Sequence, residues 1–88
     1  MNADRVSELL DEVRDIVMTI VLVFKSLTPA QKLEAKAVVR EKVMVLKDIR
    51  PFLESGHERC PEFGAKIIIL CAAASNILRA PVSDPSMN

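Results

Sequence analysis

Between Val6 and Leu27 the large apolar residues fall at Val6, Leu10, Val13, Val17, Ile20, Phe24 and Leu27, with spacings that alternate between four and three. That alternation puts them on one side of an α-helix along its whole length, and a strand of period two cannot accommodate it. A chain that opens on such a stripe must supply further helices to cover it. Leu9, Ile16 and Val23 recur beside the seam at every seventh residue and widen it, which suits a multi-helix bundle better than an isolated two-stranded coil. The acids Asp4, Glu8, Asp11, Glu12 and Asp15 take the opposite side, and the helix is expected over about residues 3–26.

The composition agrees with this start. Aromatic residues are confined to Phe24, Phe52 and Phe63, glycine to Gly56 and Gly64, and 50% of the chain is hydrophobic. Such poverty in strand and turn formers points to an all-α fold.

A second helix opens at "SLTPAQ". Thr28 suits the N-cap, Pro29 the first helical position, and Gln31 completes a T-x-x-Q capping box. This helix is expected over 29–54, with Gly56 as its left-handed terminator. Pro51 removes one backbone bond and crowds the carbonyl of Lys47, so a kink or an early end near Arg50 is expected. After the turn "SGHERCPEFG", Pro61 and Glu62 begin a third helix at about 61–79 that Pro81 stops. Within it "KIIIL" alone has the look of a buried strand, but the following "CAAASN" favours helix, and a lone strand has nothing to pair with.

The expected architecture is therefore an all-α three-helix bundle, a single helical domain of residues 1–80 with a disordered C-terminal tail at 81–88. On the third helix Phe63, Ile67, Leu70, Cys71, Ala74, Ile77 and Leu78 form one apolar face, with Cys71 read as a small buried hydrophobe. The other face carries Ala65, Ile68, Ile69, Ala72 and Ala73, so this helix should lie centrally or meet another subunit.

The residues limit the available chemistry. Twelve basic and twelve acidic residues cancel, which removes the simplest argument for a nucleic-acid binder or an enzyme of acidic substrates. No glycine-rich phosphate loop, nucleophile with an oriented base, or paired-acid motif is present, and no enzymatic activity or cofactor is expected. The acidic N-terminus is unlike the basic region of a secretory signal, and Cys60 and Cys71 are too few for a disulfide framework, so a reduced, cytoplasmic setting is expected. On a helix the two cysteines lie roughly 16 Å apart and cannot pair within one chain. "IVMTIVLVF", bounded by Asp15 and Lys25, and "IIILCAAASNIL" both fall short of the ~20 apolar residues of a membrane span, so no membrane association is expected.

Three constellations could carry a function. Met18 and Leu22 stand one turn apart among the acids of the first helix, and with Ile68, Ile69 and Ala72 they supply more apolar surface than a three-helix monomer needs. These five residues are the expected dimerisation or partner-binding surface of a homodimer. Lys32, Lys36, Arg40, Lys47 and Arg50 fall in one arc of roughly 80° on the second helix, a ridge that would meet phosphates or an acidic partner. Glu34, Glu41 and Asp48 recur every seventh residue on the same helix, where charges flank a helix–helix seam. His57 and Cys60 have ligand-like spacing but form half a cluster at most, so a plain turn is the preferred reading over an intersubunit metal or thiol site. The expected function is that of a small regulatory or inhibitory adaptor, homodimeric, that binds another protein. The alternatives are a helical nucleic-acid-binding regulator using the basic ridge, and a thiol or metal protein centred on His57 and Cys60.

Overall fold

The computed structural model describes residues 2–82 and contains three helices, with no strand among the described residues. The expected disordered tail lies outside the described residues from position 83 onward. Helix α1 spans Ala3–Val23 and continues as a 3-10 turn at Phe24–Ser26. The side chain of Asn2 caps it, accepting the Arg5 backbone N–H at 2.8 Å.

Helix α2 spans Pro29–Glu54. Its capping box is complete: Thr28 Oγ1 accepts from the Gln31 N–H at 3.2 Å, and the Gln31 side chain accepts from the Thr28 N–H at 3.0 Å. The expected early end near Arg50 does not occur. The helix carries Pro51 inside its last turn and stops where Gly56 adopts φ +77°, a left-handed conformation that a Cβ disfavours. Helix α3 spans Cys60–Arg79 and has Pro61 in its first turn.

The helices run up, down and up. Asp4 meets Arg59 at 3.8 Å, Asp11 meets Lys66 at 3.9 Å, and Val21 shares a cavity wall with Asn76, so α1 and α3 lie parallel at a constant offset. Helix α2 returns between their ends. Its first turns lie beside Phe24 and the end of α3, and Phe52, near its last, lies 6.0 Å from Phe63 between ring centroids. The result is a rod with extents of 50 × 18 × 16 Å.

Val6, Leu10, Val13, Val17 and Phe24 from α1 and its 3-10 turn meet Ala35, Val39 and Ile49 from α2 and Phe63, Leu70, Ala74 and Ile77 from α3 in one core. The alternating seam of α1 is the inner wall of this core, as its spacing predicts. Three residues that the helical wheel assigns to inner faces are not there. Val21, on the broad core side of α1, is exposed at the mouth of the cavity it shares with Ala73 and Asn76, because it stands about 60° off the centre of the buried stripe. Val23 is exposed, because one residue short of Phe24 it turns to the outside where α1 tightens into its 3-10 turn. Cys71 is exposed too, because one residue past Leu70 it rotates about 100° off the buried stripe.

Candidate protein-interaction surface

The largest departure from the sequence reading concerns the basic ridge. Lys36 is 8% exposed and leaves the ridge for the core edge, where its ammonium donates to the carbonyls of Leu78, at 3.1 Å, and Ala80. These are orphan carbonyls at the end of α3, and a cation there also meets the negative end of the helix dipole. The buried amine is satisfied, and no buried side-chain polar atom among the described residues lacks a partner.

Two other residues of the ridge are also engaged. Lys32 lies over the Phe24 ring at 5.6 Å, and Arg50 pairs with Glu54 at 3.0 Å. Only Arg40 and Lys47 of the five remain exposed with no ion pair among the described residues. A ridge of five free cations is thus reduced to two. The acids of α1 make no ion pair with α2 among the described residues: Asp4 reaches Arg59 and Asp11 reaches Lys66, while Glu8 and Asp15 pair within α1 with Arg5 and Arg14.

Arg59 is the residue that sequence reasoning missed. It stands before Cys60 and Pro61, pairs with Asp4 and with Glu62 at 3.3 Å, and covers the Phe63 ring at 4.9 Å. Its hydrogen bond, opposed by desolvation and then reinforced by the charges of Arg59 and Lys66, holds the Glu62 carboxyl below its ordinary value.

His57 and Cys60 converge on Phe52 rather than on a common ligand position. The imidazole lies 5.1 Å from the Phe52 ring and accepts the Arg59 N–H at 3.1 Å, while the Cys60 thiol points at the Phe52 carbonyl at 3.6 Å. Among the described residues no group of three or more His, Cys, Asp or Glu side chains is arranged to hold a metal ion.

Met18, Leu22, Ile68, Ile69 and Ala72 are all exposed. Leu22 is the extreme case, with 84% of its surface in solvent. Of the five only Ile69 lines the groove between α1 and α3. Met18 and Leu22 lie on the outer side of α1, and Ala72 and Ile68 lie about 60° and 100° further round α3 than Ile69. Two cavities lie along it. One of about 240 Å³ is lined by Val21, Phe24, Lys25, Ala73, Asn76, Ile77 and Ala80. The other, of about 140 Å³, is lined by Leu10, Asp11, Arg14, Lys66, Ile69 and Leu70.

Further apolar exposure lies on α2, where Leu33, Val38 and Met44 are open to solvent. The third helix as a whole, Cys60–Arg79, is long and apolar enough to cross a membrane, with a mean hydropathy of 1.4 over its best window, of which 22% is buried. The sequence expectation counted only the uninterrupted apolar run; including the residues on either side brings the helix to the length of a span. Its inner face is committed to the shared core through Phe63, Leu70, Ala74 and Ile77.

No protein family matches the chain, and no curated protein or solved structure is significantly similar to it.

Proposed function

We propose that this protein is a small regulatory or inhibitory adaptor, without enzymatic activity, that homodimerises in the cytoplasm and acts by binding another protein. The observation that carries the reading is the outward apolar surface of α1 and α3: Met18, Val21, Leu22, Ile68 and Ile69 are exposed in a chain of only 88 residues. A chain of this size has little core of its own and gains most by covering such surface. The groove between α1 and α3 offers two concave sites, the larger mostly apolar and the smaller lined by Leu10, Ile69 and Leu70 together with Asp11, Arg14 and Lys66, and mixed concave surface of this kind can receive a helical partner.

The reduced basic ridge weighs against phosphate binding as the main activity. Two free cations on the ridge, with Lys42 off it as the other cation of α2 that is neither buried, ion-paired nor stacked among the described residues, give little of the counterion release that drives nucleic-acid association. The geometry around His57 and Cys60 supports a structural role at the α2–α3 turn.

The test is the double variant Met18→Asp with Leu22→Asp. Both side chains are exposed, so helicity by circular dichroism should stay at the wild-type level, while self-association or capture of a partner from lysate of the producing cells is lost. Survival of both properties would remove this surface from the account.

A further inference from the structure

We infer that a second copy of this chain pairs with the first through the outer face of α2, the two helices running parallel so that the acids of each copy meet the bases of the other. This rests on the homodimer reading above and names the surface that makes the dimer.

Along the outside of α2, Leu33, Ala37, Met44 and Pro51 are exposed within one arc of about 40° and form a narrow apolar strip. Glu41 and Asp48 stand on one side of the strip, Arg40 and Lys47 on the other, and the members of each pair are one heptad apart. A thin apolar line with charges beside it at a period of seven is the layout of a two-helix seam.

The helix cannot satisfy these charges by itself. Elsewhere the chain pairs its charges along one helix at a spacing of three or four, as in Arg5 with Glu8, Arg50 with Glu54 and Lys66 with Glu62. The residues three and four away from Glu41 and Asp48 are all apolar, and those from Arg40 and Lys47 are apolar or basic. None of the four makes an ion pair among the described residues. The other two helices pack on the opposite side of α2, against Ala35, Val39 and Ile49, so an opposite charge reaches this face only from a second molecule.

Symmetry selects the orientation. A two-fold axis parallel to α2 turns the acidic side of one copy onto the basic side of the other. Equal-numbered residues then stand at one level, so Arg40 meets Glu41 of the other copy and Lys47 meets its Asp48, each twice by symmetry. An axis across the helices makes the pair antiparallel and sets acids on acids and bases on bases in every register. The face is therefore self-complementary in one orientation and self-repelling in the other, which is what an isologous interface of defined geometry requires. Met18 and Leu22 stay outward in this dimer, open to another protein.

Charge reversal in the full chain, read by sedimentation equilibrium, tests the face. Arg40→Glu with Lys47→Glu, and separately Glu41→Lys with Asp48→Lys, should each raise the concentration at which half the chains are paired by about tenfold or more, with helicity unchanged by circular dichroism. All four changes in one chain exchange the two sides and should restore the wild-type value. Orientation is read by cross-linking with Cys60 and Cys71 replaced by serine. Ala37→Cys should form an interchain disulfide with its own kind on mild oxidation, and so should Met44→Cys, because a parallel pair sets each strip residue against its own copy. A wild type that sediments as a single chain at every concentration overturns the homodimer reading and this surface with it. A dimer indifferent to both charge reversals, or one in which Ala37→Cys and Met44→Cys link only to each other, overturns the surface or its orientation and leaves the homodimer standing.

Discussion

The α1–α3 side and the outer side of α2 use their charges in opposite ways. Along α1 and α3, Asp4, Asp11, Glu62, Arg59 and Lys66 form a chain of ion pairs from helix to helix. Beside these pairs the outward surface carries Met18, Leu22, Ile68 and Ile69 among exposed polar residues such as Glu12, Thr19 and Asn76. On α2, Glu34, Glu41, Asp48, Arg40 and Lys47 make no ion pair among the described residues, and they stand around a thin apolar strip of Leu33, Ala37 and Met44. The first side has spent its electrostatics on registering two parallel helices and has hydrophobic surface left over. The second keeps its charge for solvent or for a partner. The difference separates two surfaces within one small rod, and under the proposed adaptor reading the first would serve association with another protein and the second selectivity in pairing.

The division can be broken at the core. Phe63 is fully buried between the three helices, and Phe63→Ala should cost about 3–5 kcal/mol, enough to unfold a marginal chain at room temperature. Denaturant titration reads this directly, and a near-neutral result would mean that α3 does not hold the other two helices together.

Lys36 joins the two sides, since it reaches from α2 to the end of α3. Lys36→Met keeps the aliphatic stem and removes the donor, leaving two carbonyls without it, so a loss of about 2 kcal/mol is expected. Lys47→Met, on the exposed ridge, should change stability by less than about 0.5 kcal/mol. Equal effects at the two lysines would restore the picture of a uniform wet ridge.

A smaller change sharpens the local account of α2. Thr28→Ala removes one half of the capping box and should cost about 1 kcal/mol by the same titration.

The smallest effect concerns the ion pairs of α3. Because Arg59 and Lys66 depress the Glu62 carboxyl, its contribution is fully present above the ordinary carboxylate range and is lost as pH falls through the lowered folded value. The difference in melting temperature between wild type and Glu62→Gln should therefore be largest at neutral pH and shrink on acidification. A difference that grows with acid would contradict the pairing.

Local chemistry was the legible part of this chain. The capping box at Thr28, the terminator at Gly56 and the inner seam of α1 each depend on residues close in sequence, and each stands where its signal placed it. The edges of the stripes were not legible. Periodicity finds the middle of a buried face, but where that face ends depends on the angle at which the next helix approaches; hence Cys71 and Val23 lie outside. The fate of Lys36 was also hidden, because a lysine on a basic ridge is identical in sequence to one that meets the end of a distant helix. Arg59 is missing from the sequence reading in part for the same reason: its pair with Asp4 exists only when α1 and α3 lie parallel, whereas its local contacts with Glu62 and Phe63, three and four residues on, were open to a helical reading of the turn. Of the interaction surface, the exposure of Met18, Leu22, Ile68, Ile69 and Ala72 was readable, whereas the placing of Ile69 alone among them in the groove required the fold.

The central claim is that this chain pairs with a second copy of itself. Sedimentation equilibrium of the full chain over a range of micromolar concentrations tests it most directly. The account predicts a mass of twice the chain's 9.7 kDa for the wild type, falling towards that of one chain when Arg40 and Lys47 are both replaced by glutamate. A wild type that holds the mass of one chain throughout would contradict it.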